Sequence, residues 1–243
     1  LLNLHYGVHA LAQYGGGAFF VVFLLKAGGS APGVLAALAL LLGGRFCVRP
    51  LILPVGRRWG VKPLLIAGTV SGAVQYLMIA RVHGVGLPLF ELCAAGAVSD
   101  AIYWTSYHAY FAAVGDAEHR GHQIGAREAV VAVVAIAAPL LTGWTLVTLG
   151  PMAAFGTTAA AMVLAAAPLL FAPNVAVVDT APGALRGAKG GMALFVADGW
   201  ICAGLNMIWP IALFQSLSES FTAFGGAMAL AALAGAAGGL VLG

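Results

Sequence analysis

The sequence predicts an all-α integral membrane protein, a polytopic bundle of transmembrane helices, and its composition carries that prediction. Hydrophobic residues make up 62% of the chain and charged residues only 8%. A soluble domain usually carries about 25% charged residues, because its surface must stay in water. The apolar residues also form about eight successive runs of about 20 residues, the length that a helix needs to cross a bilayer. Lipid is therefore the expected solvent, and a soluble enzyme is excluded.

Glycine and proline residues separate the apolar runs, as at Gly28, Gly29 and Pro32 and again at Gly150 and Pro151. Backbone groups in lipid must be hydrogen-bonded within their own segment, so the runs are predicted to be helices. A transmembrane β-barrel would instead show apolar and polar residues alternating over about ten residues, and no such pattern occurs. The predicted spans are 4–26, 33–55, 63–83, 86–114, 125–149, 152–172, 191–216 and 222–243.

The basic residues concentrate on one set of alternate loops. Of the eleven Lys and Arg residues, seven follow the second, fourth and sixth spans, two lie in the other loops and two lie within the second span. Basic loops stay in the cytoplasm, so the amino terminus is predicted to be cytoplasmic. We expect a multi-pass protein of the bacterial inner membrane or plasma membrane. Because the basic residues lie in short loops between spans, no nucleic-acid partner is expected.

A stretch at 173–190, rich in Pro, Gly and Ala, divides the chain and has the composition of a flexible linker. Residues 1–172 are predicted to form a six-helix amino-terminal lobe, 173–190 a cytoplasmic linker, and 191–243 the first two helices of a second lobe. The chain begins without Met and ends within an apolar run, so we expect it to be a piece of a longer protein. The polar loop at 115–122 is predicted to be a solvated turn.

The connection after the second span reads Leu-Pro-Val-Gly-Arg-Arg-Trp-Gly-Val-Lys over residues 53–62. It resembles the Asp-Arg-x-Gly-Arg-Lys loop of the major facilitator superfamily, because Arg58, Gly60 and Lys62 stand at matching positions. Arg57 stands where that family has its acidic residue, and the second basic position is apolar. The charge relay that the resemblance implies for this loop is therefore incomplete here.

Two further segments resemble the same family. The fifth span carries Arg127-Glu128 and then the Pro and Gly pattern of residues 138–144, and the segment 225–243 is similar to the family's eighth helix. The resemblance covers the whole chain and implies twelve helices in the intact protein, arranged as two six-helix lobes. It also implies a gating loop formed by Arg57, Arg58, Gly60 and Lys62.

The first span carries three polar residues at intervals of four, His5, His9 and Gln13. This spacing places them on one face of a helix. Polar groups within a membrane usually face a cavity or a partner helix, so the face is a candidate for substrate contact, with histidine as a possible proton carrier. Interhelical hydrogen bonding is an equal alternative. Two histidines four apart can also share a metal ion.

The fourth span is the richest in polar and aromatic side chains. Its residues recur at helical spacing and form one broad face, which we interpret as a binding face with aromatic walls and a protonatable carboxylate. The alternative is an aromatic packing seam in which the carboxylate bonds to a neighbouring helix. The residues of this face are Asp100, Tyr103, Trp104, Tyr107, His108 and Phe111.

Three more candidates lie in the second and seventh spans. Arg45 lies deep in the second span, where it could balance Asp100, bind an anionic substrate or hold helix ends together. Asn206 and Trp209 are three residues apart in the seventh span, and this spacing predicts that they face the cavity together. The complete set of candidate substrate- or proton-binding residues is His5, His9, Gln13, Arg45, Asp100, Tyr103, Trp104, His108, Asn206 and Trp209.

These observations predict a secondary active transporter that moves a small solute by alternating access, with proton coupling through Asp100 or a histidine. No nucleotide-binding P-loop motif is present, so pumping driven by ATP is disfavoured. The expected partners are a small-molecule substrate, protons and the lipid bilayer. No cofactor and no metal are expected. The protein is expected to be a monomer, and it is not expected to be an enzyme.

Two alternatives stay open at this point. The first is a membrane-embedded, metal-dependent enzyme that uses His5, His9 and Asp100. The second is a scaffold or sensor that shares the fold of a transporter without transporting. The sequence leaves the substrate and the direction of transport open, because aromatic residues suit an apolar solute whereas Arg45 suits an anion.

Overall fold

The computed structural model of the protein describes residues 1–114, 120–176 and 184–242. Every regular element in those ranges is helical, which confirms the predicted all-α fold class. Two of the helices contain a π-helical turn and are numbered here as single helices. They are α1 (Leu2–Lys26), α2 (Ala31–Trp59), α3 (Val61–Ile79), α4 (Leu87–Val114), α5 (Arg120–Thr148), α6 (Pro151–Leu170), α7 (184–216) and α8 (Phe221–Leu242).

Several helix boundaries differ from the sequence prediction. Helix α5 begins at Arg120, so residues 120–122 of the predicted solvated turn are helical. Helix α2 continues through Pro54 to Trp59, so Arg57 and Arg58 lie in its last turn rather than in a loop. Helix α7 begins at Ala184, inside the range predicted as a linker. Its first three residues, Ala184, Leu185 and Arg186, are strong helix formers. Residues 177–183 of the linker and 115–119 of the predicted turn lie outside the described residues.

Seven helices in the described ranges are long and apolar enough to cross a membrane: α1, α2, α3, α5 from Arg127, α6, α7 from Ala188, and α8. The chain therefore has the helices of a multi-pass membrane bundle. Helix α4 has 28 residues, which is sufficient length, yet it is not among the seven. Its polar side chains, including Glu91, Asp100 and His108, lower its mean hydropathy, although the sequence predicts it as a span.

Helix α1 lies at the centre of the bundle. It packs against α5 and α6. Helix α4 packs between α2 and α3, and α3 in turn packs on α6. Helix α8 packs on α5. In the most apolar window of α1, 67% of the residues are buried, against 17% in α2. The exposed faces of the outer helices carry large apolar residues such as Phe46, Val133 and Leu164. Such faces suit contact with lipid.

A cluster of phenylalanines attaches the end of α7 and the start of α8 to the rest of the bundle. Phe19 of α1 lies edge-on to Phe224 of α8, with ring centroids 5.3 Å apart. Phe224 lies 5.8 Å from Phe214 of α7, also edge-on, and Phe23 meets Phe155 of α6 at 5.0 Å. Four of these rings have no exposed surface at all, so the cluster fixes α7 and α8 against α1 and α6 at this end of the bundle.

Two helices contain a π-helical turn. In α1 the turn spans Gln13–Gly17, and Gly15 within it has a non-helical backbone, with φ −83° and ψ −107°. In α7 the turn spans Gly204–Ile208. A π turn inserts one extra residue and rotates everything that follows it, and such turns occur frequently at functional sites.

The connection between α2 and α3 is bound to the segment that follows α6. The backbone turns at Gly60, whose positive φ of 84° is a conformation that glycine adopts without strain. The Asn174 side chain donates to the Trp59 carbonyl at 3.0 Å and accepts from the Lys62 amide at 3.2 Å. The Lys62 ammonium donates to the carbonyls of Leu170 and Ala172, at 2.8 Å each.

These hydrogen bonds fix three helix ends at one side of the bundle, which we call the basic face. It carries Arg57, Arg58 and Lys62, together with the start of α5. Lys62 also satisfies carbonyl groups at the end of α6, which lack partners within their own helix. The predicted gating loop is therefore two helix ends that meet at Gly60 and are held against the segment after α6.

Candidate functional site

A cavity of about 270 Å³ lies roughly midway along the helices, between α1, α2, α3, α4, α6 and α7. Both π-helical turns reach it, through Gln13 and Gly17 in α1 and through Asn206 and Met207 in α7. Although the surrounding helices are apolar, many of the lining side chains are polar. The polar residues of the lining are His9, Gln13, Arg45, Gln75, Tyr76, Ser99, Asp100, Tyr103 and Asn206.

An ion pair crosses the cavity wall between α2 and α4. An Arg45 guanidinium nitrogen lies 3.8 Å from a carboxylate oxygen of Asp100, and the two side chains are 28% and 31% exposed. That separation exceeds hydrogen-bond distance. A charged group at mid-membrane depth is costly unless it is paired or solvated. The pair therefore balances its charges while leaving donors and acceptors available to the cavity.

Amide and hydroxyl groups flank the ion pair. The Ser99 hydroxyl donates to the Gln75 side-chain oxygen at 2.8 Å, so the amide nitrogen of Gln75 keeps its two donors. Gln13 and Asn206 line the cavity from the two π-helical turns. An amide offers both donors and an acceptor oxygen, so these side chains can bind polar groups of either kind.

A close approach between α3 and α4 positions the tyrosine at the base of the cavity. A Cβ atom added at Gly68 of α3 would lie 2.6 Å from the backbone nitrogen of Tyr103 in α4. Only glycine permits this approach, because any side chain would separate the two backbones. Gly68 therefore brings Tyr103, which is almost fully buried, into the bundle interior.

Tyr103 contacts both histidines of α1. The Nδ1 atom of His5 lies 2.7 Å from the Ala165 carbonyl oxygen, and its Nε2 atom lies 3.2 Å from the Tyr103 hydroxyl. A carbonyl oxygen only accepts, so Nδ1 of His5 carries the proton and donates. In neutral His5 the Nε2 atom is then the acceptor, and the Tyr103 hydroxyl donates to it.

His9 lies between this hydrogen-bonded pair and the cavity. Its ring stacks on Tyr103, with centroids 4.2 Å apart and an interplanar angle of 6°. His9 is buried, and its Nε2 atom has no hydrogen-bond partner among the described residues. An unpartnered buried nitrogen costs about 1–3 kcal/mol. His9 is therefore a polar group at the cavity wall that the protein itself does not satisfy.

A column of aromatic rings separates the cavity from the basic face. Tyr103 stacks with Tyr107 at 5.8 Å, and Tyr107 meets Tyr6 at 5.2 Å. The Arg127 guanidinium lies 4.7 Å from the centre of the Tyr6 ring, donates to the Tyr107 hydroxyl at 3.2 Å, and pairs with Glu128 at 2.6 Å. This aromatic column lies between the cavity and the basic end of the bundle.

The structure places six of the ten predicted candidate residues on the cavity, namely His9, Gln13, Arg45, Asp100, Tyr103 and Asn206. His5 lies behind the wall and supports Tyr103. Trp104 packs edge-on against Tyr103, with centroids 5.1 Å apart, and His108 stacks on Trp104 at the exposed side of α4. Neither of these two side chains lines the cavity.

One geometric prediction is wrong. Asn206 faces the cavity, but Trp209 does not line it and is 61% exposed. The spacing argument assumed a regular α-helix, in which residues three apart share a face. The π-helical turn at Gly204–Ile208 adds a residue to this part of α7 and rotates Trp209 away from Asn206.

Sequence reasoning missed the polar side chains that α3 contributes. Gln75 and Tyr76 line the cavity, as does Ser99 of α4. Gln75 is an uncharged polar residue within an apolar span, so the rule that pointed to Gln13 also applies to it. Ser99 carries no comparable signal, because serine bonds easily to its own helix backbone.

The described residues contain no group of three His, Cys, Asp or Glu side chains close enough to hold a metal ion. His5 uses Nδ1 on the Ala165 carbonyl and Nε2 on Tyr103, whereas Asp100 pairs with Arg45. Of the three residues considered for a metal-dependent enzyme, His5 and Asp100 therefore already have separate partners within the protein. No protein-family model matches the chain, and no curated protein matches it either.

Proposed function

We propose that this protein is a secondary transporter that carries a small solute across the membrane by alternating access. The cavity is the observation that supports this function best. A bundle whose outer surface suits lipid surrounds a space lined by an ion pair, three amides and a histidine. Polar groups at this depth are costly, and they are typical of substrate and ion pathways.

The form of the helices around the cavity also favours transport. Discontinuous helices near the midplane are typical of secondary transporters, and both α1 and α7 have π-helical turns at the cavity. The aromatic column lies between the cavity and the basic face, where it can act as a barrier. A transporter that opens its site to one side at a time needs such a barrier, and separation of Tyr6 from Tyr107 would open it.

The proposal includes the architecture that the sequence motifs suggest. Residues 1–172 are the amino-terminal lobe of a protein of the major facilitator type, and 191–243 begin its second lobe. The basic face lies in the cytoplasm, together with the amino terminus, in the inner or plasma membrane. Arg57, Arg58, Gly60 and Lys62 then lie at the cytoplasmic ends of α2 and α3.

Transport into proteoliposomes tests the proposal. Vesicles containing the purified protein and a high internal concentration of an unlabelled solute are mixed with the labelled solute outside, for a panel of solutes. We expect counterflow of at least one solute, which Asp100→Asn reduces at least tenfold. Glu91→Gln is the matched control, because Glu91 lies on the same helix but away from the cavity. A protein that is only a scaffold or sensor would give no counterflow with any solute.

Proton coupling is a separate part of the proposal. Among the described residues that line the cavity, Asp100 is the one carboxylate and His9 the one imidazole, and both can carry a proton. An inward proton gradient is expected to drive accumulation of the counterflow solute above its external concentration, and Asp100→Asn is expected to abolish accumulation. Accumulation that ignores an imposed pH gradient would exclude proton coupling and leave alternating access standing.

A further inference from the structure

The charges of the cavity cancel. Among the described residues that line it, Arg45 and Asp100 are the only Lys, Arg, Asp or Glu side chains, and they carry opposite charges 3.8 Å apart. Charges at this distance interact strongly when little water separates them from the protein. With Asp100 ionised, the site is electrically balanced before any solute enters.

The ion pair leaves hydrogen-bond donors of Arg45 and acceptors of Asp100 available. Their separation of 3.8 Å is longer than a hydrogen bond, whereas the Arg127–Glu128 pair on the basic face is hydrogen-bonded at 2.6 Å. The guanidinium carries five N–H donors and the carboxylate carries two acceptor oxygens. Each side chain is about one third exposed, so both offer these groups to the cavity.

We infer that the cavity binds a small zwitterion, with its anionic group on Arg45 and its cationic group on Asp100. The inference rests on the proposed transport function and names its substrate class. A solute with a net charge would leave one unbalanced charge in the bundle, which is far more costly than a satisfied pair. A zwitterion keeps the total charge at zero and gives each member of the ion pair a hydrogen-bonded partner.

The remaining lining suits such a solute. Gln13, Gln75 and Asn206 can donate to a carboxylate and accept from an ammonium group. The stacked rings of His9 and Tyr103 provide a flat wall. The volume of about 270 Å³ is just below the range of about 300–1,000 Å³ that is typical of ligand pockets. The space therefore fits a solute of amino-acid size rather than a larger ligand.

The inference makes a specific prediction about charge selectivity. Three matched probes are an amino acid such as leucine, its cationic methyl ester and its anionic N-acetyl derivative, used together with the permanent zwitterion betaine. Binding to the purified protein in detergent is measured by calorimetry and by the shift in thermal unfolding. We expect a zwitterionic probe to bind at least tenfold more tightly than either charged derivative.

Removing one charge should reverse this selectivity in a defined direction. Arg45→Gln leaves the site negative and should favour the ester, whereas Asp100→Asn leaves it positive and should favour the N-acetyl derivative. Arg49→Gln is the matched control, because Arg49 lies one turn away on α2 and does not line the cavity. It should keep the selectivity of the unmodified protein. If the ion pair were merely structural, both variants would weaken the binding of all probes to a similar extent.

Binding and transport separate the two proposals. If the unmodified protein binds the ester or the N-acetyl derivative as tightly as the zwitterions, or binds no probe, the inference is overturned. If counterflow is found with charged solutes only, the substrate class is wrong while the transport function stands. If zwitterions bind with the expected selectivity but no solute shows counterflow, the site stands and the transport function fails.

Discussion

At the scale of single residues, His9 bears most directly on the proposal that the cavity binds a solute. Its ring stacks on Tyr103 as a phenyl ring would. Its Nε2 atom, however, has no hydrogen-bond partner among the described residues. Stability alone would favour a ring without nitrogen at this position. The contrast with His5, whose two nitrogens are both bonded within the bundle, separates a supporting histidine from a candidate ligand-binding one.

Replacing His9 by phenylalanine therefore separates stability from function. His9→Phe keeps the stacked ring and removes the unsatisfied nitrogen, so thermal unfolding in detergent is expected at an equal or higher temperature. Counterflow is expected to fall at least tenfold, because the solute loses a hydrogen-bond partner. His108→Phe serves as the control, since His108 lies outside the cavity. Unchanged counterflow in His9→Phe would remove His9 from the binding site.

At the scale of helices, two devices shape the site, namely close contact between α3 and α4 and the π-helical turns of α1 and α7. The contact depends on Gly68, which lies directly against the backbone of Tyr103. The turns place Gln13 and Asn206 on the lining of one cavity. The site thus depends on backbone geometry as much as on the identity of its polar side chains.

Gly68→Ala tests the contact between α3 and α4. The added methyl group meets backbone rather than a movable side chain, so we expect destabilisation of about 1–3 kcal/mol, the usual cost of overpacking. Thermal or denaturant unfolding in detergent measures it. Gly156→Ala on α6 is the matched control, because nothing lies within 4 Å of the added Cβ. Equal stability of the two variants would contradict the packing described here.

The turn between α2 and α3 gives a second prediction at this scale. Asn174→Ala removes two hydrogen bonds that hold this turn to the segment after α6. Amide hydrogen exchange at Val61, whose N–H donates to the Val175 carbonyl, is expected to become at least tenfold faster. Arg58→Ala changes an exposed residue of the same region and should leave the exchange unchanged. Unaltered exchange in Asn174→Ala would show that the other contacts hold the turn alone.

At the scale of the whole molecule, the sequence predicts the architecture better than the geometry of the site. Apolar runs dictate helices because lipid offers the backbone no other hydrogen-bond partner, and the helices occur in the predicted order. Polar residues inside those runs pointed to Arg45, Asp100 and Gln13, which share the cavity. These residues could be recognised as candidates because polar side chains are rare in apolar segments.

Other features depend on tertiary structure and could not be predicted from residue spacing. The π-helical turns change the register of α1 and α7, so the position of Trp209 did not follow from its distance to Asn206. The role of Gly68 depends on which helix packs against it. The bond between Lys62 and the end of α6 joins segments more than a hundred residues apart, and no local pattern signals it.

The central claim is that one cavity becomes accessible from each side of the membrane in turn. Cysteine accessibility tests it most directly, after Cys47, Cys93 and Cys202 are replaced by alanine. Leu42→Cys places a thiol on the cavity lining, whereas Leu40→Cys places one on the outer face of the same helix. A membrane-impermeant thiol reagent is added either outside or inside sealed vesicles.

Alternating access predicts that Leu42→Cys is labelled from both sides and that Leu40→Cys is labelled from neither. Labelling of Leu42→Cys from one side only, under all solute conditions, would contradict the account.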